Sequence, residues 1–167
     1  MPNYLYYSTG LNAGSGGVNA QVQRLAPKIR LDLSKINNGL GVVANDTIDF
    51  FVTERRVRVN RLIVEIVRAA GGTCTARFGD TTDDDRFLGQ AATGDTNTAV
   101  DLNAAVGTVR TSILQVNAAD ADFAQPNVGS GGVDYWTAGG TLRATILNTN
   151  AVAICDVTVD LDRYPQL

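Results

Sequence analysis

Four aspartates crowd the segment GDTTDDDRF: Asp80, Asp83, Asp84 and Asp85. A hard cation such as calcium takes several oxygen ligands from a turning loop, and neighbouring carboxylates can supply them. The spacing is not that of an EF-hand and no Glu closes the loop, so a solvated turn capped by Asp side chains is expected, without a metal. Carboxylate-pair hydrolysis of glycosides has no specific signature here, since any two of 15 Asp residues could be nominated. Histidine is absent, which removes the commonest general base, the Ser-His-Asp and Cys-His arrangements and nearly all catalytic zinc sites. The two cysteines, Cys74 and Cys155, make neither a disulfide framework nor a metal cluster. Both fall where small inward-facing apolar groups are expected. The glycine-rich stretches 14–17 and 129–132 lack the Lys-Ser/Thr of a phosphate-binding loop. No catalytic residue, metal ligand, cofactor or small-molecule substrate is therefore expected.

Arginine carries more information. The chain has 12 Arg against two Lys, and Arg55, Arg56, Arg58 and Arg61 follow Glu54 in one short stretch. Arg pairs with carboxylates in planar, bidentate fashion and is enriched at protein interfaces, where Lys is depleted. A second cluster, Tyr4, Leu5, Tyr6 and Tyr7, precedes the flexible GLNAGSGG. Tyr offers large area, few torsions and a polar tip, which suits a docking arm. These eight residues are the candidate interface.

The elements that must position them read as strands. Glu and Lys, two of the best helix formers, total four residues, whereas Val, Ile and Thr total 43. Residues 1–27 show no sustained periodicity and are expected to form an extended N-terminal arm; residues 28–167 are expected to form one domain. Ile29, Leu31 and Leu33 alternate with Lys28, Arg30 and Asp32 as a half-buried strand, and residues 47–53 form a second. Residues 56–69 fit a helical stripe, but their β-branched content and alternation favour a strand, with a β-bulge near Asn60-Arg61 shifting the inward parity. Ala70-Gly71-Gly72 then reads as a hairpin turn into a strand with Cys74, Ala76 and Phe78 on one face. Short strands are expected near 99–102, 109–116 and 133–136. A last hairpin should turn at 148–150, with Leu142, Ala144 and Ile146 inward on one arm and Ala153, Cys155, Val157, Val159 and Leu161 on the other. Its opposite face, with Asp156, Thr158, Asp160 and Asp162, should be wet. About eight strands without a convincing helix imply an all-β fold: a single β-sandwich of jelly-roll or Greek-key type.

Charge and hydropathy exclude further classes. A net charge of -3 argues against general affinity for nucleic-acid phosphates. No apolar run approaches the roughly 20 residues of a membrane helix, and the segment MPNYLYYSTG has no secretory pattern, so neither a membrane nor a secreted location is expected.

The run from Asp49 to Leu88, with its Arg-rich strand and AAGGTCTARFGDTTDDDRFLG, resembles small β-sandwich virion proteins of tailed bacteriophages, as does the later DYW–TAGGTLRATILNTNAVAICDVTVDLDRY. Capsid decoration (cement) proteins are the nearest in pattern. The resemblance covers roughly residues 47–163 and leaves the arm uncovered. It implies a non-enzymatic protein made in the host cytoplasm, placed on the outer capsid surface, bound to the major capsid protein and to itself as a homotrimer. A carbohydrate-binding module of a head fibre or tail-associated protein is the competing expectation, with Tyr135 and Trp136 as a stacking platform.

Overall fold

The computed structural model describes residues 23–36, 41–52, 57–81, 84–85, 87–89, 99–112, 140–148 and 152–163, with Arg58 described by its backbone alone. Among these residues nine strands follow in order: β1 (Gln23–Leu25), β2 (Lys28–Asp32), β3 (Thr47–Val52), β4 (Val57–Arg68), β5 (Thr75–Asp80), β6 (Val100–Asp101), β7 (Val109–Thr111), β8 (Thr141–Ile146) and β9 (Ile154–Arg163). A single turn of 3-10 helix, Leu33–Lys35, follows β2 and is capped by the Asp32 carboxylate, which accepts from the Ser34 amide.

The strands form two antiparallel sheets packed as a β-sandwich. One has the order β1-β9-β4-β7, with β2 also on β9; the other has the order β3-β8-β5-β6. β1 and β2 occupy the same edge of β9 one after the other. Pro27 lies between them and has no amide to donate, but its carbonyl accepts from the Val159 amide at 2.9 Å. Residues 23–25, at the inner end of segment 1–27, thus belong to the sheet. The pairs β2·β9, β3·β8, β4·β7 and β5·β6 are nested, as in one long hairpin folded over into two layers.

Alternation explains which side chains meet between the layers. Ile29 and Leu31 of β2, Leu142, Ala144 and Ile146 of β8, and Cys155, Val157, Val159 and Leu161 of β9 are all buried. On β4 the buried set is Val57 and Val59, then Leu62, Val64 and Ile66. The change of parity coincides with a register shift against β9 between Val59 and Arg61, as the bulge reading requires. A second shift, between Ile66 and Arg68, has no counterpart in the sequence pattern.

Two turns differ from expectation. Residues 70–74 and 147–153 do not close hairpins, because β4 and β5 lie in different sheets, as do β8 and β9. Both flanks of β4 are taken by β9 and β7, and both flanks of β8 by β3 and β5, so each connection passes from one layer to the other. Gly71 makes the first crossing possible with φ +82, a left-handed conformation that side chains disfavour. Its amide is held by the Asn103 carboxamide oxygen at 2.9 Å.

Cys74 and Cys155 are buried free thiols. Burial pushes the Cys155 thiol up to about 12, with the nearby Asp156 charge adding to the shift, so almost no thiolate exists at neutral pH. Native protein should therefore react with a thiol reagent only as fast as it unfolds, and both thiols should react at once in denaturant. Rapid labelling of either cysteine without denaturant would contradict this burial.

Candidate assembly surface

Charged side chains gather on the outer face of the β1/β2-β9-β4-β7 sheet. Alternation on β9 sends Cys155, Val157, Val159 and Leu161 inward, so Asp156, Thr158, Asp160 and Asp162 point outward. That face is not wet throughout, contrary to expectation: Asp156 and Asp160 are only 5% and 4% exposed. Register supplies the cover. Arg30 of β2 stands opposite Asp156 and Arg61 of β4 opposite Asp160. Each basic strand lies beside the acidic one, and long Arg side chains fold over the short carboxylates between them.

The geometry is that of paired clamps. Arg30 donates Nε and Nη2 to the two Asp156 oxygens at 2.8 and 3.0 Å, and the Lys28 ammonium stands 3.1 Å from the same carboxylate. Lys28 also donates to Glu65 at 3.0 Å. Arg24 donates Nε and Nη2 to Asp160 at 2.9 and 2.7 Å, while Arg61 donates its Nε to the same group at 2.9 Å. Hydrogen bonding to ionised partners favours the charged form. Arg30 foremost holds the Asp156 carboxyl below the usual aspartate range, and Arg24 does the same for Asp160, with Arg61 assisting. The outer face of the second sheet repeats the device once. Arg143 of β8 donates Nε and Nη2 to Asp49 of β3 at 2.6 and 3.0 Å.

Of the eight expected interface residues, Arg61 is described in full, and its guanidinium is engaged within the chain. Arg58 lies in β4 opposite Asp162. Tyr4, Leu5, Tyr6, Tyr7, Arg55 and Arg56 lie outside the described residues, as do Asp83, Tyr135 and Trp136. In the acidic segment, Asp84 stands 3.7 Å from Arg77, and Phe87 and Leu88 are buried. Leu88 exchanges backbone hydrogen bonds with Phe78, so this stretch extends the sheet edge where β6 ends. Among the described residues, no group of three or more His, Cys, Asp or Glu could hold a metal ion.

Sequence reasoning overlooked Arg24, Lys28, Arg30 and Asp49–Arg143 as structural pairs. The usable signal was present in part: basic residues at every second position of 28–30 and acidic ones at alternate positions of 156–162. Which strand lay beside which was the missing information.

No protein-family model and no curated protein matches the chain. Two solved structures are similar to it. A chain of the acidic stable capsid structure of Helicobacter pylori bacteriophage KHP30 is 14% identical, with a TM-score of 0.46, over 87% of this chain and 95% of that one. A chain of the capsid asymmetric unit of cyanophage Pam1 is 15% identical, with a TM-score of 0.44, over 95% of each.

Proposed function

We propose that the chain is a non-enzymatic structural protein of a bacteriophage virion. In the finer form of this reading it is a decoration or cement protein on the outer capsid surface, homotrimeric, with its N-terminal arm as an attachment element to the major capsid protein. The observation that carries the reading is where the buried carboxylates go. Three of the four buried carboxylates among the described residues, Asp49, Asp156 and Asp160, each hold a guanidinium across neighbouring strands, on outer sheet faces instead of converging on a cleft. Polar groups so placed stiffen and decorate a surface; acid–base chemistry needs them converging with perturbed, unpaired character. A β-sandwich hosts many unrelated functions, so the fold alone does not choose among them. The choice rests on the surface and on the resemblance of segments 49–88 and 134–164 to cement proteins.

The arm provides the test. Burying Tyr4, Leu5, Tyr6 and Tyr7 yields about 1.5–3 kcal/mol each in gross terms. Ordering seven residues of backbone costs about 1–2 kcal/mol apiece and consumes most of that gain. One arm therefore binds weakly, whereas three arms on a trimer bind tightly through effective concentration alone. Deletion of residues 1–17 should leave the melting temperature unchanged and abolish co-sedimentation with shells lacking this protein. Unfolding of the deleted form would make the segment an integral part of the sandwich, and undiminished binding would move attachment to the body.

A further inference from the structure

Beside the two carboxylate clusters the same outer face carries an apolar strip. Register places Ile63 of β4 between Thr158 of β9 and Thr111 of β7, on the outward side of the sheet. One step along, Val109 stands opposite Glu65 and is 52% exposed. Ile63 itself is half-buried. To one side stand cations whose heads face water while their carboxylates lie beneath. The side chains of Arg24 and Arg30 are 67% and 61% exposed, against 6% for both Asp160 and Asp156. Each of these arginines commits Nε and Nη2 to its aspartate, which leaves Nη1 uncommitted to it. A guanidinium has five N–H donors and no acceptor. The outermost layer therefore offers donors beside an apolar strip, with both aspartates submerged.

We propose that this face docks on a protein surface bearing carboxylates beside an apolar contact, presented by the capsid shell; the proposal rests on the virion reading above. Charge complementarity selects the carboxylates, because Arg recognises them in bidentate geometry. The strip of Ile63 and Val109 selects protein over nucleic acid, because an apolar contact with Arg to one side matches the anatomy of protein interfaces and has no role against a phosphate backbone.

Val109→Glu, Thr111→Glu and Val109→Lys separate the two components. Val109 and Thr111 are both exposed on the short strand β7, and Thr111 faces Ile63 instead of Glu65, so its acidic variant avoids a like-charge pair. Melting curves establish which variants fold, and co-sedimentation with shells lacking this protein measures binding. The acidic variants should weaken binding by about tenfold or more, since like charges are set against the partner, and Val109→Lys by only about threefold. Wild-type protein should not shift the anisotropy of labelled duplex DNA at the same salt concentration. Wild-type-like binding by folded acidic variants would overturn the docking face while leaving the virion reading intact. Equal losses from Glu and Lys at position 109 would overturn the carboxylate partner. DNA binding that Arg24→Gln/Arg30→Gln abolishes would assign the face to nucleic acid. Failure of the wild type to bind shells would overturn the virion reading and this inference with it.

Discussion

Replacing Phe78 by alanine should cost about 3–5 kcal/mol, the range for large-to-small changes of a buried aromatic. Phe78 is 1% exposed and meets Phe50 edge-to-face, with ring centroids 6.0 Å apart and an interplanar angle of 69°. The two rings come from β5 and β3, which are not neighbours; β8 lies between them, and its small Ala144 stands opposite Phe78. The rings therefore meet across a position that only a small side chain leaves open. Truncation at residue 78 removes one ring and strips the other of its partner, and the small neighbour cannot refill the space. Against a typical domain stability of about 5–15 kcal/mol, the variant should be close to unfolding at body temperature. Urea denaturation should show a lower midpoint with an unchanged slope. A loss below about 1 kcal/mol would mean that position 78 is not in the core.

Alanine at both Asp156 and Asp160 should lower the melting temperature by several degrees at pH 7, and more at low salt than at high. The double variant leaves Arg24, Lys28, Arg30 and Arg61 crowded on one face without the carboxylates that separate them. The same pairs set the acid limit of the wild type. Both carboxyls sit below the ordinary aspartate value of 3.8, so the unfolded chain takes up protons first as pH falls. Their contribution is complete above about pH 5 and is lost on acidification through the unfolded and then the folded value. Melting temperature measured from pH 7 to pH 2 should accordingly be level down to about pH 5 and then fall, and the double variant should fall less steeply. An equal slope in both proteins would assign the acid sensitivity to other carboxylates.

Much of this core is visible in the amino-acid order, because a period of two survives in single strands. Cys155, Val157, Val159 and Leu161 could be assigned inward without knowing any neighbour, and the break in parity at Asn60-Arg61 betrayed its own bulge. Pairing is another matter. The runs 141–146 and 154–163 look like the arms of a hairpin, and only the choice of neighbours in three dimensions shows that they belong to opposite layers. The same ignorance hid the clamps: Asp156 and Asp160 alternate with buried residues and read as solvated until Arg30 and Arg61 are known to lie alongside. β1 escaped notice because its three residues are too short to show a period. The Arg-rich stretch of 54–61 was legible as unusual, but its described guanidinium, that of Arg61, serves the fold.

The nesting of the strands has a bearing on how the chain comes to be folded at all. Among the described strands β9 is the last to be synthesised, yet it lies inside its sheet, with β1 and β2 on one side and β4 on the other. Leu31 must wait for Cys155, its register partner, so ribosome-bound chains that have emitted only β1 to β8 have the first layer split in two. Loop-closure entropy opposes such distant pairing, and folding dominated by it is slow. Chains that lack β9 thus have no finished outer face on this sheet. The pairing of β9 with β2 and β4 is the step that joins the two parts of this layer.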